Sequence, residues 1–195
     1  CIEIIIIDDC STDKSLNKIK KLKKKNHKIK FKMVKNKKNR GVAYSRNAGL
    51  SLATGDYIIF LDSDDYLNKN ILNSISNTIN KNNFPNLIMG DHNMKSINNF
   101  LSNKNKSSNL LSSKINLLNN TDFFTGYCWA FIISRNFLVS KKIKFLNIKT
   151  HEDIVFVTKI IANCQSLVFL KKKFYFHTSM PTSLSRKISP RMLLS

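Results

Sequence analysis

No apolar run in this sequence of 195 residues approaches the ~20 residues needed to span a bilayer, which excludes a transmembrane helix as its organising element. A secretory signal is missing too, because the chain opens on a short apolar stretch that runs straight into Asp8 and Asp9. It also lacks an initiator Met, so we expect it to begin inside a larger protein, after at least one further element. The four cysteines, Cys1, Cys10, Cys128 and Cys164, have no paired ligand spacing. That excludes a zinc finger and a disulfide framework, and reads as reduced thiols in a cytosolic protein. Acid is scarce: 12 Asp and Glu stand against 33 Lys and Arg, for a formal charge of +21. Such a charge admits nucleic acid, an anionic membrane surface or an acidic substrate as partner, while drift toward Asn, Lys and Ile would give the same total. Basic residues are not interleaved with aromatics and no nucleic-acid module signature is present, so nucleic acid is not expected. Anionic lipid headgroups are favoured instead. No internal repeat is found.

What the sequence does hold is alternation, at a length that makes one domain with room for a core. Residues 3–7 form a short apolar strand ending in Asp8 and Asp9. Ser11, Thr12 and Asp13 supply N-cap chemistry for a helix over about 14–25, with Leu16, Ile19 and Leu22 on a narrow stripe. Residues 29–34 alternate Lys with Ile, Phe and Met as a half-exposed strand. A basic loop over 35–41 precedes a helix over 42–53, in which Ala43, Ala48 and Ala53 permit close packing and which Gly55 ends. Residues 57–61 are apolar throughout and predict a central strand buried on both faces. Ile71, Ile75 and Ile79 mark a further helix, and 86–89 a further strand. This order predicts an α/β fold with a mainly parallel sheet flanked by helices. Right-handed crossovers then bring Asp8, Asp9, Asp62 and Asp64 to one edge of that sheet.

The chain divides into a first half, 1–90, an Asn- and Ser-rich insertion, 91–120, a second half, 121–177, and a basic tail, 178–195. In the second half, 128–133 predict a strand that holds the only tryptophan, Trp129, and 135–141 a short helix. His151, Glu152 and Asp153 open a helix with Ile154, Val157 and Ile161 on its apolar face, and 167–170 and 174–177 predict two closing strands.

Two carboxylate clusters carry the chemistry. Asp62, Asp64 and Asp65 crowd three acids into four residues at a strand's carboxyl end, where open α/β sheets place ligands. Such crowding is unfavourable without a positive partner, for which a divalent cation shared with a phosphate is the candidate. The alternative is an acidic turn that caps the next helix through Asp65. Glu152 and Asp153 form the second cluster. A helix N-terminus stabilises acid by about 0.3–1 kcal/mol, which alone accounts for them, although an ionised Asp beside a metal–phosphate site could also take a proton from an incoming hydroxyl. His177, at a strand end, is either structural or an extra metal or phosphate contact.

Three ordered blocks bear a family resemblance: residues 4–13 (IIIIDDCSTD), 39–49 (NRGVAYSRNAG) and 54–65 (TGDYIIFLDSDD). In order and spacing they resemble the inverting family 2 glycosyltransferases of GT-A fold. Trp129, Arg135, residues 143–145 and Glu152-Asp153 resemble the acceptor side of the bacterial polysaccharide and lipooligosaccharide members. The resemblance implies a GT-A (Rossmann-like) sheet, here without the family's opening strand and helix and therefore short of a central strand. It implies transfer of a sugar from a nucleotide donor, a UDP-sugar, to the hydroxyl of a glycan or lipid-linked acceptor. Asp9 would meet the uracil with Asp8 in support, Arg46 the nucleotide or its phosphates, and Asp62 the ribose. Asp64, with Asp62 in the same Asp-x-Asp motif, would be the ligand of Mn²⁺ or Mg²⁺, and Asp65 is a neighbour of less defined role. His177 is a candidate extra contact to that ion from its position at a strand end alone. Asp153 would be the catalytic base with Glu152 beside it, and Trp129 would line a sugar pocket or lie in the core. The setting implied is the cytoplasm of a bacterium; the basic charge, separately, suggests peripheral attachment to the inner face of its membrane. The competing readings are a shortened, non-catalytic nucleotide-sugar-binding relic and a basic nucleic-acid-binding protein.

Overall fold

A computed structural model describes residues 1–26, 29–93, 110–119 and 126–178. The proposed tail and most of the proposed insertion lie outside the described residues. The first half holds β1 (Glu3–Asp8), α1 (Ser15–Lys25), β2 (Lys30–Lys35), α2 (Val42–Leu52), β3 (Tyr57–Ile59), β4 (Tyr66–Leu67), α3 (Ile71–Lys81) and β5 (Leu87–His92). Then come α4 (Leu110–Asn119), β6 (Phe131–Ser134), α5 (Arg135–Ser140), α6 (Glu152–Asn163) and β7 (Leu167–Phe176). None of the described helices is long and apolar enough to cross a membrane.

The α/β class holds, but the main sheet is mixed, not mainly parallel. Five strands lie in the order β3-β6-β5-β7-β4, and only β5 and β7 run parallel. The reason lies in how the chain re-enters the sheet. It leaves β5 at His92 and returns so that Phe131, the first residue of β6, pairs with Met89, which forces β6 antiparallel. The α6 crossover carries the chain back to the start of β5, so β7 pairs with it in parallel, Leu87 opposite Leu167. The short β4 then closes antiparallel on the end of β7, Tyr66 opposite Phe176.

The expected central strand is also displaced. Residues 57–59 pair only with β6, at the sheet's margin, and Leu61 beyond them is 50% exposed. The centre belongs to β5, whose six residues are all buried. Gly90 is required there, since a methyl group at that position would collide with the ring of Phe174 on β7. The expected strand over 128–133 begins only at Phe131, after a 3₁₀ turn over Cys128–Ala130 that contains Trp129. The two closing strands are one, β7, which runs for 10 residues.

Among the described residues β1 and β2 form a separate parallel pair, in register from Glu3 opposite Lys30 to Asp8 opposite Lys35. Asp8 and Asp62 therefore do not share a sheet edge. The pair is attached through α2, where Gly49 approaches Ile7, and through Glu3, which accepts the Thr54 amide at 2.8 Å. Ala43 on α2 is buried in the core with β5, β6 and α6. The second half is fastened to α2 by two bonds of Asn47: its amide donates to the Phe145 carbonyl and its carbonyl accepts the Phe145 N–H, both at 2.9 Å. Phe145 in turn stacks on Phe156 of α6 at 3.9 Å, with Phe60 edge-on to both rings.

Candidate active site

Seven of the chain's 12 acidic residues are Asp8, Asp9, Asp62, Asp64, Asp65, Glu152 and Asp153, and α2 links three of them, Asp62 and Glu152 through Arg46 and Asp9 through Ser45 and Asn36. Its consecutive residues Ser45, Arg46 and Asn47 reach three different parts of the molecule.

At the end of β1, Asp9 is saturated with protein donors. Oδ1 accepts Asn36 Nδ2–H at 2.7 Å and the Arg40 amide at 2.9 Å, while Oδ2 accepts the Gly41 amide at 2.8 Å. Partial burial opposes ionisation, but these bonds outweigh it and hold the carboxyl below its ordinary range. Asn36 also donates to Ser45 Oγ at 3.3 Å, which links the strand end to α2. The neighbouring Asp8 is 5% exposed; its Oδ1 accepts the Ser11 amide at 3.2 Å, and its Oδ2 is buried without a hydrogen-bond partner. An orphaned buried carboxylate oxygen is costly unless a ligand donor reaches it. Beside this pair, Lys35, Lys37, Lys38, Arg40 and Tyr44 line a basic cleft of about 470 Å³.

Arg46 binds the two halves together. Its Nη2 donates to Asp62 Oδ1 at 3.0 Å and its Nη1 to Glu152 Oε1 at 2.9 Å, with the guanidinium side chain only 12% exposed. The planar fork of arginine can satisfy two carboxylates at fixed angles, which lysine cannot. Arg46 also lies 5.4 Å from the centroid of the Phe145 ring. The expectation placed Arg46 near the nucleotide; the structure gives it two protein carboxylates.

Glu152 and Asp153 begin α6, preceded by His151 in the left-handed region at φ 63°. Strained backbone of this kind persists where surrounding contacts demand it. Here it turns the chain so that Glu152, 7% exposed, faces Arg46. Asp153 is pushed above the ordinary carboxylate range, first by burial and then by the negative charge of Glu152; its bond from the Ile154 amide and the charge of Arg46 act against this. Burial likewise pushes the Cys128 thiol well up, so it stays neutral and is no nucleophile.

The acidic loop splits into three environments. Asp62 is held by Arg46. Asp65 has no side-chain exposure and accepts Tyr175 Oη–H at 2.6 Å and the Thr178 amide at 2.7 Å, with His177 Nδ1 at 3.3 Å. Asp64 is exposed, and among the described residues no hydrogen bond or ion pair holds it, whereas the 37% exposed side chain of Asp62 is tied to Arg46. No group of three His, Cys, Asp or Glu side chains among the described residues converges on a metal position. The carboxylates of Asp64 and Asp62 are hard oxygen donors of the type Mg²⁺ and Mn²⁺ take, one or two of which suffice where phosphate and water complete the shell. The pair does not fit an all-protein cage. Trp129 is 4% exposed and stacked between Tyr127 and Tyr175, so it is a core residue.

Sequence reasoning missed Asn36, Asn47 and Tyr175. The signal for Tyr175 was faint: a tyrosine in an apolar strand, whose hydroxyl must find a partner if buried.

With this geometry in place, comparison with known proteins decides the family. The profile of Glycosyl transferase family 2 matches residues 2–139. The chain belongs to glycosyl transferase family 2. It is 31% identical over 199 aligned residues to a cholesterol galactosyltransferase of Borreliella burgdorferi, covering 96% of this chain and 54% of that protein. It is 32% identical to the poly(ribitol-phosphate) beta-N-acetylglucosaminyltransferase TarP of Staphylococcus aureus, over 84% of this chain and 49% of TarP. Among solved structures, S. aureus TarS 1-349 in complex with UDP-GlcNAc superposes with a TM-score of 0.76 at 25% identity, covering 96% of this chain and 52% of TarS 1-349. The family 2 chain thus spans about half the length of the curated relatives it matches, 54% and 49%. Its fold is GT-A.

Proposed function

We propose that this family 2 domain transfers a sugar from a UDP-sugar to a hydroxyl of a glycan or lipid-linked acceptor, with inversion at the anomeric carbon. One observation carries the reading: Arg46 ties the acidic loop, through Asp62, to the helix start that presents Asp153. Two carboxylate sites with different environments then serve two tasks. Asp153, buried enough to be a stronger base than an ordinary carboxylate, takes the proton of the acceptor hydroxyl. The acceptor oxygen bonds to C1 as the bond from C1 to the phosphate oxygen breaks on the opposite face, and UDP leaves with that electron pair. Glu152 stays with Arg46 and orients the helix start. Asp64, with Asp62 beside it, would hold Mn²⁺ or Mg²⁺, which when bound supplies charge neutralisation for the leaving diphosphate. Asp8 and the cleft around Arg40 supply the nucleotide end, Asp8 through its unpartnered oxygen.

The acceptor class follows the relatives, which carry sterol and poly(ribitol-phosphate) acceptors in their names. A basic surface supports a site at an anionic membrane face: on α1, Lys18, Lys20, Lys21, Lys23 and Lys24 are exposed beside Leu22, which is 55% exposed. Co-sedimentation with phosphatidylglycerol vesicles, but not with phosphatidylcholine vesicles, is expected; equal partitioning removes that part of the reading. The enzymatic part is tested with UDP-sugar donors and Mn²⁺ on the chain and on Asp153→Asn. Donor binding should survive in the variant while transfer and donor hydrolysis are lost. Full turnover by Asp153→Asn would overturn the base assignment.

A further inference from the structure

Behind the acidic loop lies a set of contacts that the transfer chemistry leaves unused. Tyr175 is fully buried on β7, and its hydroxyl spends both hydrogen-bonding functions on one loop. It donates to Asp65 Oδ2 at 2.6 Å and accepts the Asp62 amide at 3.1 Å. Within the loop the Asp65 amide donates to the Asp62 carbonyl at 3.2 Å, closing a turn with Ser63 and Asp64 at its tip. The far side is tied as well, since the Thr178 amide donates to Asp65 Oδ1 at 2.7 Å. Downstream, Tyr66 stacks on Phe176 at 5.1 Å and 4°, so the exit of the loop is also pinned to β7.

The ring of Tyr175 has no room to drift. It stacks on Trp129 at 4.4 Å and 11°, and Trp129 stacks on Tyr127 at 4.6 Å and 13°. An ionised carboxylate offers about four lone-pair positions; on Asp65 one oxygen accepts the Tyr175 hydroxyl, the other the Thr178 amide, and His177 Nδ1 lies 3.3 Å away. Asp65 is therefore a poor ligand for a cation, whereas Asp64, one residue earlier, is exposed.

We infer that Tyr175 and Asp65 are positioning residues that hold loop 62–65 in the shape in which Asp64 meets the cation-bound diphosphate of the donor. This rests on the proposed function. It adds a division within the acidic motif, with Asp64 facing the ligand and Asp65 facing the last strand. The mechanism is preorganisation, because a loop already fixed at Asp62 and Asp65 does not have to be ordered when the donor arrives.

Tyr175→Phe tests it, because the ring keeps its stack while the hydroxyl is lost. UDP binding is measured by calorimetry on the whole chain with and without Mn²⁺, alongside thermal unfolding. The wild type should bind UDP more tightly with Mn²⁺, and the variant should lose about tenfold of that Mn²⁺-dependent gain while still unfolding cooperatively. Asp65→Asn, which keeps size but weakens acceptance from Tyr175 and Thr178, should lose affinity in the same direction. An undiminished Mn²⁺-dependent gain in either folded variant overturns the positioning role. No UDP binding by the wild type overturns the donor reading itself, and this inference with it.

Discussion

Arg46 reaches Glu152 Oε1 at 2.9 Å and Asp62 Oδ1 at 3.0 Å, so one guanidinium joins residues 106 and 16 positions away along the chain. Both bonds are charge-assisted and the side chain is nearly buried. Removing the cation while keeping its bulk, as in Arg46→Met, leaves Glu152 buried opposite no positive charge. A loss of about 3–5 kcal/mol is the usual scale for breaking a buried pair by removing one partner. Chemical denaturation should show it, and Arg46→Lys should recover only part, because one ammonium cannot span both carboxylates. A stability unchanged in Arg46→Met would show that the fork is dispensable.

As the proposed base, Asp153 should set the acid side of the rate profile through its raised carboxyl. The base works only when ionised, so activity is present above its folded value and lost as pH falls through it. That fall should come at higher pH than the ~3.9 of an unperturbed Asp, because burial and Glu152 both favour the protonated form. A kcat/KM profile run down from neutral pH should lose rate early. A flat profile down to the ordinary carboxylate range would remove Asp153 from the proton path.

Glu3 predicts a separate pH effect, on stability. Its carboxylate accepts Lys32 Nζ–H at 2.9 Å and the Thr54 amide at 2.8 Å, and is pushed down to about 2, foremost by the bond to Lys32 and next by that to Thr54. The unfolded carboxyl titrates higher, near 4.5. The contribution is therefore complete above about pH 4.5 and lost as pH falls from there to about 2. Urea midpoints should decline across that window in the wild type and less so in Glu3→Gln. Parallel declines would assign the acid sensitivity elsewhere.

Gly126 sits at φ 71°, and a methyl group there would run into the Ile154 side chain and lie 3.0 Å from its Cα. Ile154 follows Asp153 directly, so Gly126→Ala should displace the start of α6 as well as strain the backbone. A destabilisation of about 1–3 kcal/mol is expected from left-handed strain alone, accompanied by reduced turnover. Wild-type stability in Gly126→Ala would mean that the helix start yields freely.

Much of the candidate site was legible before the fold was known, because its signals are local. An apolar strand stopping at Asp8 and Asp9, another at Asp62, Asp64 and Asp65, and a helix opening on Glu152 and Asp153 are each visible within ten residues. The ordered blocks over 4–13, 39–49 and 54–65 also announced the family whose profile matches residues 2–139. The sheet was less legible. Residues 57–61 looked central because they are apolar, yet strand position depends on what pairs alongside, and β6 and β5 lie more than 25 residues away. The direction of β6 was equally hidden, since it depends on the end at which the chain re-enters the sheet.

By itself, the sequence determined the chemistry on offer: acid gathered into three short clusters on an otherwise basic chain, each placed where a strand ends or a helix begins. Local propensity and the cost of crowding like charges are enough to read that. Only the tertiary structure decided which carboxylates are committed. Asp65 and Asp64 are neighbours of one residue type, yet Asp65 is buried against Tyr175, 110 positions on, while Asp64 remains open. Asp62 and Glu152 share an arginine that neither has near it in sequence. A carboxylate's role depends on the donors around it, and here those donors come from strands and helices that only folding brings together.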